Sequence, residues 1–313
     1  MTELSVIIPT LDEKAHLQQL LASIHALDSV PKEILVADGG SVDGTVEAVL
    51  ALQATHPRLT LIQNPDRFVS HGFNRAFKAS QAPYISLVGA HAVYPPQYFS
   101  TCIEAIASGA CDAAGGFLVQ RGKTRMGQAI AKVMSSKLGV GDTAFRTSPK
   151  RMYVDSVAFA VYARRVFEQV GLLDEELVRN QDDEFHYRLN QAGLRILMLP
   201  ELEVVYYVRN SLGALFQQYY QYGYYKPLVL KKVRSGLRLR HLVPAAFTLY
   251  LLALPLAIWQ PLWLVPLLLY GALCSWASLR AEAPWPVRLR MPWVFPVLHT
   301  AYGSGFLRGL FKK

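Results

Sequence analysis

The stretch EILVADGGSVDGTVEAVLAL, residues 33–52, decides the fold. It opens on a short aliphatic run, ends that run at Asp38, turns through two glycines and continues into a segment of helical spacing with Ser41 as candidate cap. That is one strand and the helix that follows it. Upstream, LSVIIP (4–9) reads as another short strand. After it, Leu17, Leu20, Leu21, Ile24 and Leu27 recur at the spacing of one helix face. Downstream come a strand at LTLIQ (59–63), a helix at GFNRAFKAS (72–80), and a strand with its turn at YISLVGAH (84–91). The repeated strand–helix order predicts an α/β fold with a parallel sheet and helices on both faces.

Such sheets bind ligands just past the carboxyl ends of their strands. The residues at issue are therefore Pro9 to Glu13, Asp38 to Gly40, Asn64 to Arg67 and Gly89 to His91. After the first strand, PTLDEKAH lacks the G-x-G-x-x-G of a dinucleotide binder, which argues against a dehydrogenase. Asp38 can accept hydrogen bonds from a base or ribose, or can form an Asx turn that caps the next helix. Cys102, Cys111 and Cys274 are odd in number and contain no C-x-x-C pair, which argues against a disulfide framework or zinc knuckle. The N-terminus lacks a basic leader and reads as a strand, so the first domain is expected in the reducing cytoplasm.

The chain has 313 residues, 52% of them hydrophobic, and a net charge of +9. The apolar excess gathers from Leu242 onward. VPAAFTLYLLALPLAIW (243–259) and LWLVPLLLYGALCSWASL (262–279) carry no charge and approach the ~20 residues that cross a bilayer. Only Gln260 and Pro261 separate them, so a tight hairpin is expected over 243–279. Basic flanks on both sides place both ends on the cytoplasmic face. The run KPLVLKKVRSGLRLRH (226–241) directly precedes the first apolar stretch, which favours anionic lipid over nucleic acid. The segment 211–232 is aromatic at helical spacing and then basic, as suits a membrane interface. Residues 292–313, with Pro296, His299 and three glycines, read as a broken segment that re-enters or lies on the membrane. Residues 120–150 are polar and Gly-rich and read as an insertion or mobile loop. The expected organisation is a catalytic domain over 1–208, an interfacial segment over 209–241 and a membrane region over 242–313.

Four stretches in this order, SVIIPTLDE (5–13), LVADGGSVDGT (35–45), GAHA (89–92) and NQDDEFHYRLNQAG (180–193), resemble the inverting family 2 glycosyltransferases of the GT-A fold. The match runs over roughly residues 4–208. QYGYYK, LRHLVP and HTAYGSGFLRG extend it toward the branch typified by the succinoglycan biosynthesis glucosyltransferase. The resemblance implies that Pro9 and Glu13 line a uridine pocket, that Asp38 meets the uracil or ribose, and that Arg67 faces the donor nucleotide. Gly89 and His91 hold the places of the family's D-x-D metal motif, so a divalent cation (Mn2+ or Mg2+) is implied with one carboxylate missing. Asp182 takes the place of the catalytic base. Gln217, Gln218, Tyr222 and Lys226 fall in the interface helix and, with Asp183, are assigned to the acceptor or the interface.

The three adjacent carboxylates are separated by helical geometry. In a helix over 181–192, Asp182 shares a face with Phe185, Leu189 and Ala192, and so is expected to point inward. Glu184 pairs with Arg188 at i, i+4. Asp183 lies three residues after Asn180, as in a capping box. Inverting transfer needs one carboxylate to take the acceptor's proton. The function implied is a membrane-bound transferase that moves a hexose from a UDP-sugar to a polyprenyl-diphosphate-linked saccharide at the cytoplasmic membrane, beside other polysaccharide-assembly enzymes. Its rivals are transfer to a polyprenyl phosphate and a catalytically silent nucleotide-sugar-binding subunit.

Overall fold

The computed structural model describes residues 2–25, 27–28, 31–89, 92–234 and 237–312. The elements begin with β1 (Thr2–Thr10), α1 (Lys14–His25), β2 (Pro31–Asp38), α2 (Thr45–Gln53), β3 (Leu59–Gln63), α3 (Val69–Ala79) and β4 (Tyr84–Leu87). Next come β5 (Ala92–Val93), α4 (Tyr98–Ala107), β6 (Ala113–Arg121), α5 (Arg125–Met134), and the single turns α6 (Lys137–Val140) and α7 (Ala144–Thr147). Then follow β7 (Met152–Val154), β8 (Val161–Ala163), α8 (Arg164–Val170), α9 (Gln181–Gln191) and β9 (Ile196–Tyr207). The remainder is helical: α10 (Leu212–Val233), α11 (Leu239–Ala253), α12 (Val265–Arg280), α13 (Trp285–Arg288) and α14 (Met291–Gly309). Two compact units result, Met1–Val119 with Ser148–Tyr206, and Gln120–Thr147 with Tyr207–Lys313.

The first unit is built on a mixed sheet of order β3-β2-β1-β4-β8-β6-β9-β5, with β7 beside β9. The strands β3, β2, β1 and β4 run parallel, as the strand–helix alternation requires. From β4 onward the pairings with β8 and β6 are antiparallel. Leu4, Val6, Ile7 and Ile8 are all buried, so β1 is covered on both faces. The stripe Leu17, Leu20, Leu21 and Ile24 of α1 is buried as its spacing predicts.

The second unit contains 120–147, which are not a loop. Thr124 caps α5, its Oγ1 accepting from Gly127 N at 3.0 Å, and the helix buries Ile130, Val133 and Met134. The breaks expected in the last segment are also missing, because α14 runs unbroken for 19 residues. Its glycines serve close approach instead. A Cβ on Gly305 would stand 2.1 Å from the carbonyl oxygen of Tyr220, and one on Gly223 of α10 would stand 2.1 Å from that of Tyr302. Small residues that let helix backbones touch are the packing device of membrane helices. His299 is absorbed by a polar tie, with Nε2 3.0 Å from the Leu138 carbonyl and Nδ1 2.8 Å from the Tyr270 hydroxyl.

Two spans, Leu239–Ile258 and Pro261–Arg280, are each long and apolar enough to cross a membrane. Only 11% of each is buried inside the protein, so neither is a core helix. Leu252, Ile258, Trp259 and Leu268 instead present their side chains outward. Tyr250 joins the two spans, donating to the Trp263 carbonyl at 2.5 Å and accepting from Leu267 N at 3.2 Å.

Candidate functional site

The parallel register aligns the carboxyl ends of four strands. Thr10 stands opposite Asp38, Asp38 opposite Gln63, and Ile7 opposite Leu87. The loops that leave these ends are laced together. Gly39 N donates to the Thr10 carbonyl at 2.8 Å and Asn64 N to the Asp38 carbonyl at 2.8 Å. Asp12, at φ 55, accepts from Val42 N at 2.8 Å, while its own N–H donates to Ser41 Oγ at 2.8 Å. Glu13 N donates to Thr45 Oγ1 at 3.0 Å, and its carboxylate lies 3.0 Å from His16 Nδ1. Lys14 N donates to Asp43 at 3.1 Å. The Thr45 hydroxyl, with further help from N–H donors, holds the Asp43 carboxyl below the usual range.

Asp38 is buried at the centre of this lacing. Its Oδ2 accepts from the N–H groups of Gly40 at 2.8 Å and Ser41 at 3.0 Å, which makes an Asx turn. Ser41 is therefore a loop tie rather than the cap of α2, which starts at Thr45 after a left-handed Gly44. Pro9 is the penultimate residue of β1, beside Ala37. Arg67 is exposed, holds a left-handed backbone at φ 68, and has no ion pair among the described residues. Its backbone packs against Gly39, where an added Cβ would lie 3.2 Å from Arg67 Cα.

The helix α9 sorts the three carboxylates. Glu184 is buried and grips Arg188 with two bonds, Nε to Oε1 at 2.7 Å and Nη2 to Oε2 at 2.9 Å. Arg188 also donates to the carbonyls of Val170 and Leu172, so this pair is architectural. Asn180 is the N-cap residue at φ 62 and makes no side-chain capping bond, so the capping box expected with Asp183 does not form. Phe185 and Leu189 are buried, but Asp182 is exposed rather than turned inward. It sits in the first turn, beyond the reach of the core, where an incoming hydroxyl can meet it. Its charge is still felt inside: burial first, and then Asp182, raises the Tyr162 hydroxyl above its ordinary range.

Beneath Asp182 lies a group that the sequence reading passed over. His186 is fully buried, with Nδ1 3.0 Å from Ser156 Oγ and Nε2 2.8 Å from the Tyr162 hydroxyl. Burial lowers its pKa, against the opposing pull of Asp182, Asp183 and Asp155. The i, i+4 spacing from Asp182 was the signal that could have found it.

Gly89 follows β4, and His91 lies outside the described residues. A Cβ at Gly89 would meet Phe159 Cε1 at 2.7 Å. No group of three His, Cys, Asp or Glu able to hold a metal exists among the described residues. Position 89 therefore offers no ligand, and the described side chains alone do not fit a metal centre. The remaining candidates lie on α10 in the second unit. Gln217 is exposed, Gln218 donates to the Tyr222 hydroxyl at 3.1 Å, and Lys226 is buried.

Comparison with known proteins bears on the family and the fold. The model of the glycosyl transferase family 2 matches residues 5–171. The succinoglycan biosynthesis protein ExoA of Rhizobium meliloti (strain 1021) is 32% identical over 97% of this chain and 94% of its own. The dolichyl N-acetyl-alpha-D-glucosaminyl phosphate 3-beta-D-2,3-diacetamido-2,3-dideoxy-beta-D-glucuronosyltransferase of Methanococcus voltae is 26% identical over 100% of this chain and 98% of its own. Among solved structures, a mannosyltransferase from Pyrobaculum calidifontis in complex with GDP-Man and Mn2+ superposes with a TM-score of 0.69 at 20% identity. That alignment covers 99% of this chain and 87% of the other, and it establishes the GT-A fold.

Proposed function

The chain belongs to glycosyl transferase family 2, and from that premise we propose that it transfers a hexose, glucose in the first instance, from a UDP-sugar to a polyprenyl-diphosphate-linked saccharide with inversion. The observation that carries the reading is the sorting on α9: Glu184 is committed to Arg188, whereas Asp182 is exposed at the helix start. In the transfer, the acceptor oxygen bonds to the anomeric carbon while Asp182 takes its proton. The bond from that carbon to the UDP oxygen breaks, and the leaving diphosphate carries the electron pair. Arg67, exposed and unpaired by any carboxylate among the described residues, supplies positive charge on the donor side. The laced loops at Asp12–Lys14 and Asp38–Thr45 give the nucleotide a preformed floor. A divalent cation accompanies the donor diphosphate in this proposal, as Mn2+ accompanies GDP-Man in the structural neighbour, and no step is assigned to it.

The two outward-facing apolar spans support a membrane protein, and a lipid-tailed acceptor gives a sugar transferase reason to be one. We place it in the cytoplasmic membrane, catalytic unit inward, from the basic flanks of the hairpin. The helix α10 with Gln217, Gln218, Tyr222 and Lys226 is assigned to the acceptor side. The product enters exopolysaccharide or another surface glycan, where other assembly enzymes consume it. The test is UDP release by purified full-length protein over a panel of UDP-sugars, with and without membrane-extracted lipid-linked acceptor. Acceptor-dependent release supports the reading, and no release with any donor refutes it. Product sizing after mild acid separates an extended saccharide from a single sugar on polyprenyl phosphate.

A further inference from the structure

The collision at Gly89 concerns a residue with an unusual backbone. Phe159 stands in the connection from β7 to β8 at φ 55, a left-handed conformation that bulky side chains rarely adopt. Such strain persists where the surroundings over-determine it, and it clusters at functional sites. Here the surroundings are explicit. The fully buried Tyr98 donates its hydroxyl to the Phe159 carbonyl at 2.8 Å. The Tyr94 ring meets the Phe159 ring edge-on, with centroids 5.9 Å apart and planes at 79°. Phe159 as a residue is half-buried, and the Tyr206 ring lies 6.5 Å from its own, tilted by 35°. On one side it fills the space in which a side chain at position 89 would stand, with Cε1 and Cζ 2.7 and 3.3 Å from a Cβ there. On the other, the same connection carries Ser156, whose hydroxyl is bonded to His186 one helical turn beyond Asp182.

An in-line displacement places the transferred sugar between the leaving diphosphate and the base. Position 89 belongs to the diphosphate end and Asp182 is the base, so Phe159 lies on the segment that bridges the two. A hexopyranose has a face of C–H bonds that packs well on an aromatic ring, and a rigid ring supplies that contact at little entropic cost. Resting on the donor reading above, we propose that Phe159 is the specificity-determining platform on which the transferred sugar sits. Gly89 lacks a side chain because this ring occupies its place.

The test is calorimetry on detergent-solubilised full-length protein with two probes, UDP and UDP-glucose. Phe159→Leu keeps bulk but removes the π face. It is expected to weaken UDP-glucose about 3- to 10-fold while UDP stays within about twofold. Phe159→Tyr should restore the wild-type difference between the probes. If Phe159→Leu does not fold, Phe159→Gly suits the left-handed backbone and carries the same expectation. Equal loss of both probes, or unchanged UDP-glucose affinity, overturns the platform. Wild-type protein that binds UDP but no UDP-sugar of a hexose panel overturns the donor reading and the platform together.

Discussion

Ser41 Oγ donates to Asp38 Oδ1 at 2.5 Å, while the Ser41 N–H donates to Oδ2 of the same carboxylate at 3.0 Å. With Gly40 N at 2.8 Å and Thr10 Oγ1 at 3.5 Å, both oxygens of Asp38 are already engaged from within the chain. The residue thus shapes the loop that leaves β2. Asp38→Asn replaces one acceptor by a donor facing other donors. It should cost roughly 1–3 kcal/mol of stability and weaken UDP binding together. Thermal unfolding and calorimetry on the same samples check this. Loss of UDP affinity with unchanged unfolding would instead mark direct contact with the nucleotide.

Asp182→Asn should lower transfer by about 10²–10⁴-fold and leave UDP affinity near wild type, because it removes the proposed base and nothing that the donor is proposed to touch. Glu184→Gln should act on stability, since it leaves Arg188 half-paired beside the Val170 and Leu172 carbonyls. Steady-state rates beside unfolding midpoints separate the two effects. An active Asp182→Asn with an inactive, stably folded Asp183→Asn would move the base by one residue.

His186 links stability to pH. Its folded pKa is depressed by burial, so the unfolded chain binds the proton more readily. Stability should therefore be full above the unfolded histidine value near ~6.5 and fall as acid is added below it, by at most about 1.4 kcal/mol per pH unit. Unfolding midpoints of wild type and His186→Gln between pH 7.5 and 5 should diverge in slope. Parallel profiles would remove His186 as the cause.

A carboxylate at position 89 requires the Phe159 ring to shift. Gly89→Asp drives its Cβ into the Phe159 ring and should lower the unfolding temperature without tightening Mn2+. Adding Phe159→Ala should recover stability and let the new carboxylate strengthen Mn2+ binding, in a non-additive double-mutant cycle. Wild-type protein should retain Mn2+ detectably only with UDP present. Equilibrium dialysis reads each of these, and a stable Gly89→Asp single variant with tight Mn2+ would contradict the steric argument.

Cutting the chain after Val208 should not release a well-behaved catalytic fragment. The helix α5 lies before the cut but belongs to the unit formed with 207–313, and it would expose Ile130, Val133 and Met134. Such a fragment should aggregate on gel filtration. A monomeric, soluble fragment would show that α5 finds other cover.

The parallel half of the sheet was legible because each of its strands and helices is a short, local pattern of apolar residues. So was the Glu184–Arg188 pair, which spacing alone fixes. The burial of Asp182 was misjudged because a residue in the first turn of a helix can share an angular face with Phe185 and still clear the core. Thr124–Met134 looked like loop because Gly127 and the polar residues around it hide a single apolar face, whose partner lies more than 150 residues away in α14. Phe159 left no signal at all. A left-handed φ and a collision with position 89 are properties of the tertiary structure, not of any local pattern.

That separation in sequence also sets an order of events during synthesis. The apolar face of α5 leaves the ribosome long before α14 exists to cover it, and closing so large an interval is entropically slow. In the meantime the whole stretch 148–206, with the helix that carries Asp182, is made. Completion of the second unit must therefore wait for the last helix of the chain, after both apolar spans have emerged. Maturation of this enzyme is thus tied to synthesis of its final helix, and a ribosome stalled before Met291 would leave α5 as an exposed greasy helix for chaperones to find.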